Sequence, residues 1–293
     1  MNGHENGHGA AGRRLKIRLA AAASAATLAA LGLLGTGAQA AGPAADGSVG
    51  GPRERLATSA SAGEAKAARS PRNKTYGVSG DQLTGGAIKP KHRAIWERFI
   101  ALVPTDERTQ LGKFTVVRGN SGAFVAPLRD PTRWKLGVSA GLRPGELDYI
   151  LVHEFGHLLT LEADQVPPGG SRRNCTTYFT GEGCSLPDSY VAQYVSEFWQ
   201  SNGLLAKWKQ ARRRGNRGLG GFYRQNRDAF VSSYAVTNPA EDIAESFAAF
   251  AVAPSPSGST IAEEKRRFFE RFPELVELRD EIQAADPNPR ILN

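Results

Sequence analysis

Two histidines and a glutamate form the clearest chemical pattern in this sequence of 293 residues. His153 and His157 are four positions apart, and Glu154 follows the first of them within the apolar run VHEFGHLLTL. On a helix these positions share one face, so both imidazoles can bind one ion while Glu154 reaches a water beside it. The spacing predicts a zinc site with an adjacent general base. The alternative is two ordinary histidines on a core helix.

A catalytic zinc ion needs a third protein ligand and one position open to water. The remaining histidines are poor candidates, because His4 and His8 lie in a predicted export segment and His92 belongs to an earlier helix. We interpret His92 as a surface or partly buried residue. The class of zinc peptidases with a Met-turn is excluded, because Thr160 and Ala163 stand where it has Gly and His. The third ligand should therefore be a carboxylate.

A later helical segment, NPAEDIAESFAAFAV, supplies two carboxylates on one face. Asn238 and Pro239 are suited to its start, and Glu241 and Glu245 are four apart among apolar residues. Burying such a pair is costly unless a positive charge is present. We predict Glu241 as the third zinc ligand and Glu245 as the carboxylate that orients a ligand histidine. The alternative is a solvated acidic face.

The order of these motifs resembles that of the gluzincin metallopeptidases, most closely the catalytic domain of anthrax-lethal-factor-like zinc peptidases. The shared pattern is H-E-F-G-H followed by Tyr-x(6)-Glu-x-x-x-Glu. The resemblance implies a zincin-like fold, zinc bound by His153, His157 and Glu241, and a tyrosine, Tyr234, that assists catalysis. It covers the two motif regions and their order. Thermolysin-like members have Asn before the ligand glutamate, where this chain has Ala240.

The resemblance implies hydrolysis of peptide bonds in a peptide or protein substrate through a metal-activated water. Glu154 would be the general base, and Tyr234 would donate to the developing oxyanion. Tyr234 could instead be a buried residue that caps the preceding segment. Two other functions stay open: an exported non-catalytic protein with a structural zinc site, and hydrolysis of a non-protein amide such as a cell-wall peptide crosslink.

The first forty residues predict export. The basic stretch RRLKIR precedes an alanine-rich apolar run that ends in the small-x-small pattern of a signal peptidase site at Ala40. We predict a signal peptide over 1–40, a disordered linker or pro-segment over 41–75, and one globular domain over 76–293. No later stretch suits a membrane span, so we expect a secreted protein without stable membrane insertion. The alternative is an uncleaved anchor.

The two cysteines, Cys175 and Cys184, lie in a stretch rich in turn-forming residues. In an exported chain an isolated pair predicts a disulfide. Two thiolate zinc ligands are the alternative, but one pair without a nearby histidine cannot complete a tetrahedral site.

The chain carries 37 basic and 29 acidic residues, a formal charge of +8. Without the first forty residues it carries 33 and 28, a balance too diffuse to predict nucleic-acid binding. The segment 207–217 concentrates basic residues. We interpret it as a solvated helix end, with attraction of an anionic polymer or an acidic substrate as the alternative. No pattern in the sequence specifies an oligomeric state.

Hydrophobic spacing predicts how these residues are positioned. A helix over 91–103 precedes three short strands near 113–117, 122–128 and 134–140. The HExxH motif lies on a buried helix over 144–163, and the segments 189–200, 204–214, 238–252 and 260–272 are helical in pattern. The predicted class is α+β, with a small N-terminal sheet, a central HExxH helix and a mostly helical C-terminal half.

Overall fold

A five-stranded mixed sheet opens the part of the chain that the computed structural model describes, residues 73–119 and 122–287. The strands are β1 (Lys74–Ser79), β2 (Gln82–Thr84), β3 (Leu111–Val117), β4 (Ala123–Pro127) and β5 (Trp134–Ser139). They lie in the order β2-β1-β3-β5-β4. Only the β3–β5 pair is parallel within these residues, and β4 lies antiparallel to β5 at one edge.

The three predicted strands correspond to β3, β4 and β5. The structure adds β1 and β2 to them, and β1 starts two residues before the predicted domain boundary at residue 76. Lys74 and Thr75 pair with Val116 and Thr115 of β3, so they belong to the sheet and not to the predicted linker. The predicted signal peptide, 1–40, and the linker up to residue 72 lie outside the described residues.

Helices predominate after the sheet, as predicted, and the coarse α+β class is confirmed. The helix α1 (Pro90–Leu102) lies between β2 and β3, and the helices after the sheet are α2 (Pro144–Leu161), α3 (Tyr190–Tyr194), α4 (Leu204–Arg212), α5 (Gly215–Gln225), α6 (Pro239–Val252), α7 (Ile261–Arg267) and α8 (Pro273–Ala284). The helix predicted over 189–200 is α3 continued by a π-helical turn, Val195–Gln200. The one predicted over 260–272 is α7 with a 3-10 turn, Phe268–Arg271, after it. In the part of the chain described, no helix is both long and apolar enough to span a membrane.

The helices α2 and α6 pack closely along much of their length and form the centre of the hydrophobic core. Gly156 makes this approach possible, because a Cβ atom there would lie 3.2 Å from Cα of Ala244 and 3.2 Å from the ring of Phe247. Phe155, next to it, meets the Phe247 ring edge-on. The glycine of the HEFGH motif thus brings the two helices that carry the predicted ligands together.

A buried ion pair between α7 and α6 anchors the first turn of α6. The Lys265 ammonium on α7 lies 2.6 Å from Oδ2 of Asp242 and donates to the carbonyl of Ala229 at 2.6 Å. The same carboxylate oxygen accepts from the indole N–H of Trp199 at 2.8 Å. Burial raises the pKa of Asp242 and lowers the pKa of Lys265, while each charge opposes the shift of the other. The pair is therefore sensitive to the loss of either member.

Replacing Lys265 by methionine is expected to lower the free energy of unfolding by about 3 to 5 kcal/mol, because it leaves the Asp242 carboxylate buried without its cation. The double variant Lys265→Met/Asp242→Asn should recover part of that loss, since the amide oxygen still accepts from Trp199. Urea unfolding of both variants measures the effect. A loss below about 1 kcal/mol in the single variant would contradict the assignment of a buried charged pair.

The predicted disulfide between Cys175 and Cys184 is confirmed. It lies in the long connection between α2 and α3, which also contains isolated β-bridges between Pro168 and Gly183 and between Phe179 and Cys184. Both cysteines are thereby occupied, so the alternative of thiolate zinc ligands is excluded.

Candidate metal centre

The helix α2 carries three buried titratable side chains within little more than one turn. His153, Glu154 and His157 are 3%, 2% and 8% exposed. The two imidazole rings have their centroids 4.8 Å apart and are nearly perpendicular, as expected for positions one turn apart. Burial of three titratable groups in one helical turn is costly, and it indicates that they serve a common purpose.

The helix α6 brings a carboxylate to these imidazoles from the opposite side. Its start is set by Asn238, whose side chain accepts hydrogen bonds from the backbone N–H groups of Ala240 at 2.9 Å and Glu241 at 3.1 Å. Glu241 therefore lies in the first turn, facing α2. Its Oε2 is 3.2 Å from Nε2 of His153 and 3.1 Å from Nε2 of His157.

These distances fit a metal ion. A zinc ion with tetrahedral bonds of about 2.0 to 2.1 Å holds its ligand atoms about 3.3 Å apart. One ligand atom each of His153, His157 and Glu241 lies within 4.8 Å of the others. Among the described residues, these three form the group of His, Cys, Asp or Glu side chains that could hold a metal ion. The donor set of two imidazoles and one carboxylate is one that zinc takes in catalytic sites.

The electrostatic balance of the cluster also favours a cation. Burial acts to lower the pKa of His153, but the carboxylates of Glu241 and Glu245 outweigh it and hold that pKa well above its ordinary value. Burial acts to raise the pKa of Glu241, and the two imidazoles outweigh it, so the Glu241 pKa is lowered. The carboxylates of Glu241 and Glu245 thus stabilise positive charge at the imidazoles, and they would stabilise a cation bound there in the same way.

Glu245 contacts the other side of the His153 ring. Its Oε1 lies 2.8 Å from Nδ1 of His153. Its Oε2 accepts from the hydroxyl groups of Ser232 and, at 3.3 Å, of Tyr149. The predicted role of Glu245, orienting a ligand histidine, matches this position.

Tyr149 and Ser232 were not predicted from the sequence. Tyr149 lies one helical turn before His153 on α2, a spacing that could have drawn attention to it. Ser232 also accepts from the backbone N–H of Tyr234 at 3.2 Å and of Ala235 at 3.2 Å, so it joins the Glu245 carboxylate to the segment that carries Tyr234.

Tyr234 lies at the rim of the cluster, with its ring centroid 5.9 Å from that of His153. Burial raises the pKa of its hydroxyl, and the neighbouring carboxylates of Glu241 and Glu154 raise it further. The hydroxyl therefore stays protonated and is a hydrogen-bond donor at neutral pH. The side chain is partly buried and lies beside the His153 ring.

Glu154 lies between the histidines and the edge strand β4. Burial raises its pKa to about 7, against the lowering effect of His153 and His157 and of a hydrogen bond from the backbone of Val125 in β4. Its Oε2 is buried and has no hydrogen-bond partner among the described residues. An unpaired buried carboxylate oxygen next to three converging ligand atoms is positioned to exchange a proton with a group held there.

Comparisons with known proteins identify no relative of this chain. No family model matches the chain, and neither the curated proteins nor the solved structures contain a significant match. The chemistry of the site must therefore be argued from its own geometry.

Proposed function

We propose that this chain is an exported, zinc-dependent peptidase with a zincin-like fold. The observation that carries the proposal is the convergence of His153, His157 and Glu241 beside the unpaired carboxylate oxygen of Glu154. A structural zinc site is closed by four protein ligands, whereas this cluster offers three and a base. The arrangement supports catalysis over the alternative of a non-catalytic zinc protein.

Each of these side chains has a separate role in amide hydrolysis. Zinc, when bound there, acts as a Lewis acid that lowers the pKa of water towards about 7 and polarises the scissile carbonyl. Glu154 accepts the proton of the attacking water at Oε2 and returns it to the leaving amine. Tyr234 donates its O–H to the oxygen on which negative charge develops. Glu245, held by Ser232 and Tyr149, keeps the His153 ring in its orientation.

The position of β4 supports an extended polypeptide as the substrate. This strand pairs with β5 on one side, and its other side is a sheet edge within the described residues. Its residue Val125 contacts Glu154 through the backbone. An extended peptide that adds to such an edge through main-chain hydrogen bonds would run past the base.

Export is proposed on two observations. The N-terminal pattern over 1–40 is that of a signal peptide, and the Cys175–Cys184 disulfide is of a kind that persists in oxidising compartments.

The test of the proposed function is a peptide-library cleavage assay on the full exported chain, before and after chelation and after zinc is restored. We expect cleavage that disappears with chelator and returns with zinc. A parallel arm with crosslinked cell-wall peptides distinguishes the non-protein amide alternative. Stoichiometric zinc without cleavage in either arm would contradict the proposal.

Replacing Glu245 by glutamine is expected to weaken zinc binding by about 10-fold to 100-fold, because the amide is a poorer acceptor for the His153 ring. Zinc titration against a competing chelator measures the change. Glu264→Gln, an exposed change on α7, is the control. Unchanged zinc affinity in Glu245→Gln would show that His153 needs no support from this carboxylate.

Replacing Tyr234 by phenylalanine is expected to lower kcat by about 10-fold to 100-fold while zinc content stays the same, because one donor to the oxyanion is removed and the ligands remain. Tyr223→Phe, which alters a half-buried tyrosine on α5, is the matched control. Steady-state kinetics with a peptide substrate provide the measurement. A rate equal to that of the parent would assign Tyr234 a purely structural role.

A further inference from the structure

The helices α4 and α5, together with the turn after them, carry a concentration of exposed positive charge. Between residues 201 and 228 the chain has eight basic residues and one acidic residue, Asp228. The exposed cations are Lys207, Lys209, Arg212, Arg213, Arg214, Arg217, Arg224 and Arg227. We call this surface the basic helix pair. None of its cations lies within 4.0 Å of a carboxylate oxygen of a described residue.

Helix dipoles explain only part of this charge. Arg212 lies in the last turn of α4, where a cation is favourable, and its guanidinium carbon is 5.2 Å from the centre of the Trp208 ring. Arg214 and Arg217, however, lie at the start of α5, where a cation opposes the helix dipole. The interpretation as a solvated helix end therefore does not account for the arginines of α5.

The basic helix pair packs against the segment between Tyr234 and α6. On α4, Trp208 donates its indole N–H to the carbonyls of Val236 at 3.1 Å and Thr237 at 3.3 Å, just after Tyr234 and before α6. The helix α5 also packs against this segment. These contacts attach the basic helix pair to the stretch of chain that carries Tyr234.

Tyr178, in the disulfide-containing connection, is affected by charges from both regions. Burial raises the pKa of its hydroxyl, the charges of Arg172 and Arg212 lower it, and the charge of Glu241 raises it. Tyr178 is therefore within electrostatic reach of both the basic surface and the carboxylate of the candidate metal centre.

One end of the basic helix pair contains a polar pocket of about 240 Å³. Lys207 and Arg227 line it with the amides of Asn202 and Asn226. Asp228, the acidic residue of this region, also lies on its wall. The cations Lys207 and Arg227 give this pocket an excess of positive charge over the single carboxylate of Asp228, which suits a carboxylate side chain.

We propose that the basic helix pair binds an acidic segment of the polypeptide substrate and thereby selects substrates. The inference rests on the proposed peptidase function and names its substrate class: polypeptides with clustered Asp or Glu near the cleaved bond. A peptide is favoured over an anionic polymer because the surface packs against the segment that carries Tyr234, a residue proposed to act on the polypeptide substrate.

The experiment compares two charge-matched triple variants of the full chain. The test variant is Arg213→Gln/Arg214→Gln/Arg217→Gln, and the control, Lys89→Gln/Lys91→Gln/Arg93→Gln, removes the same charge at the start of α1. Glu154→Gln is added to each so that bound peptide is not cleaved. Fluorescence anisotropy with labelled deca-glutamate and a labelled neutral Gly-Ser peptide gives the affinities.

We expect the unaltered surface to bind deca-glutamate more tightly than the neutral peptide. The test variant should lose about tenfold in affinity, and the control less than about twofold. Equal losses in the two variants, or no binding of deca-glutamate, would overturn the proposal. Binding of long-chain polyphosphate that needs these arginines, without binding of deca-glutamate, would assign the surface to a polymer instead.

A kinetic arm separates this proposal from the proposed function. With Glu154 present, a cleavable peptide carrying a glutamate run should have a lower KM than its neutral counterpart. That advantage should disappear in the test variant while kcat stays unchanged. Cleavage of both peptides with equal KM would overturn the substrate preference and leave the peptidase proposal intact, whereas no cleavage of either peptide would refute the peptidase proposal itself.

Discussion

The Glu154→Gln variant is expected to retain one zinc ion per chain and to hydrolyse peptides about 10² to 10⁴ times more slowly than the parent. Glutamine has the size of glutamate and keeps an oxygen that can accept from the Val125 backbone, so the surroundings should be preserved. It cannot take up the proton of the attacking water. Zinc content and hydrolysis should be measured on the same preparation.

The matched control for this variant is Glu146→Gln, which makes the same change in the first turn of α2. We expect it to retain parental activity, because among the residues described the Glu146 carboxylate makes one long ion-pair contact, of 3.9 Å with Arg143. If Glu154→Gln cleaves peptides as fast as this control, Glu154 is not the general base, and a different proton acceptor must be sought.

The Glu241→Ala variant is expected to lose its zinc ion. The fall in zinc affinity should exceed about 100-fold, which is the upper end of the loss expected when a residue that only supports a ligand is removed. Alanine takes away the single carboxylate that faces both imidazoles and leaves two ligands, too few for a stable zinc site. Helix α6 should persist, because the Asn238 cap and the Asp242 pair remain. Elemental analysis after dialysis measures the loss.

Glu264→Ala, an exposed change on α7, is the control for Glu241→Ala and should keep its zinc. Circular dichroism should show that both variants are folded. Stoichiometric zinc in dialysed Glu241→Ala would reject Glu241 as a ligand and would leave the second carboxylate, Glu245, as the residue to test.

The sequence was sufficient to predict the two helices that carry the cluster, because local signals specify them. In α6, the Asn238 cap and the apolar period locate the helix to within a residue. The spacing of His153 and His157 implies their shared face for any helix. The pairing of Cys175 with Cys184 was equally accessible, since no other cysteine competes.

Other elements were not predicted, because they are stabilised by tertiary contacts that the local sequence does not reveal. The helix α5 begins GNRGLGG, a composition that disfavours helix, and its packing against α4 outweighs that propensity. The strands β1 and β2 have few large apolar residues, and β1 is recognised only by its pairing with β3. The contact of Tyr149 with Glu245 needs the close approach of α2 and α6, and the contact of Ser232 with Glu245 needs the segment before α6 to fold back on that helix.

The most direct test of the metal site is zinc X-ray absorption spectroscopy of the zinc-loaded chain, with and without a peptide hydroxamate. We predict one zinc ion bound by two imidazole nitrogens and one carboxylate, with no sulfur and with one position that the hydroxamate occupies. Four protein ligands that do not change on addition of the hydroxamate would contradict a catalytic site and indicate a structural zinc ion.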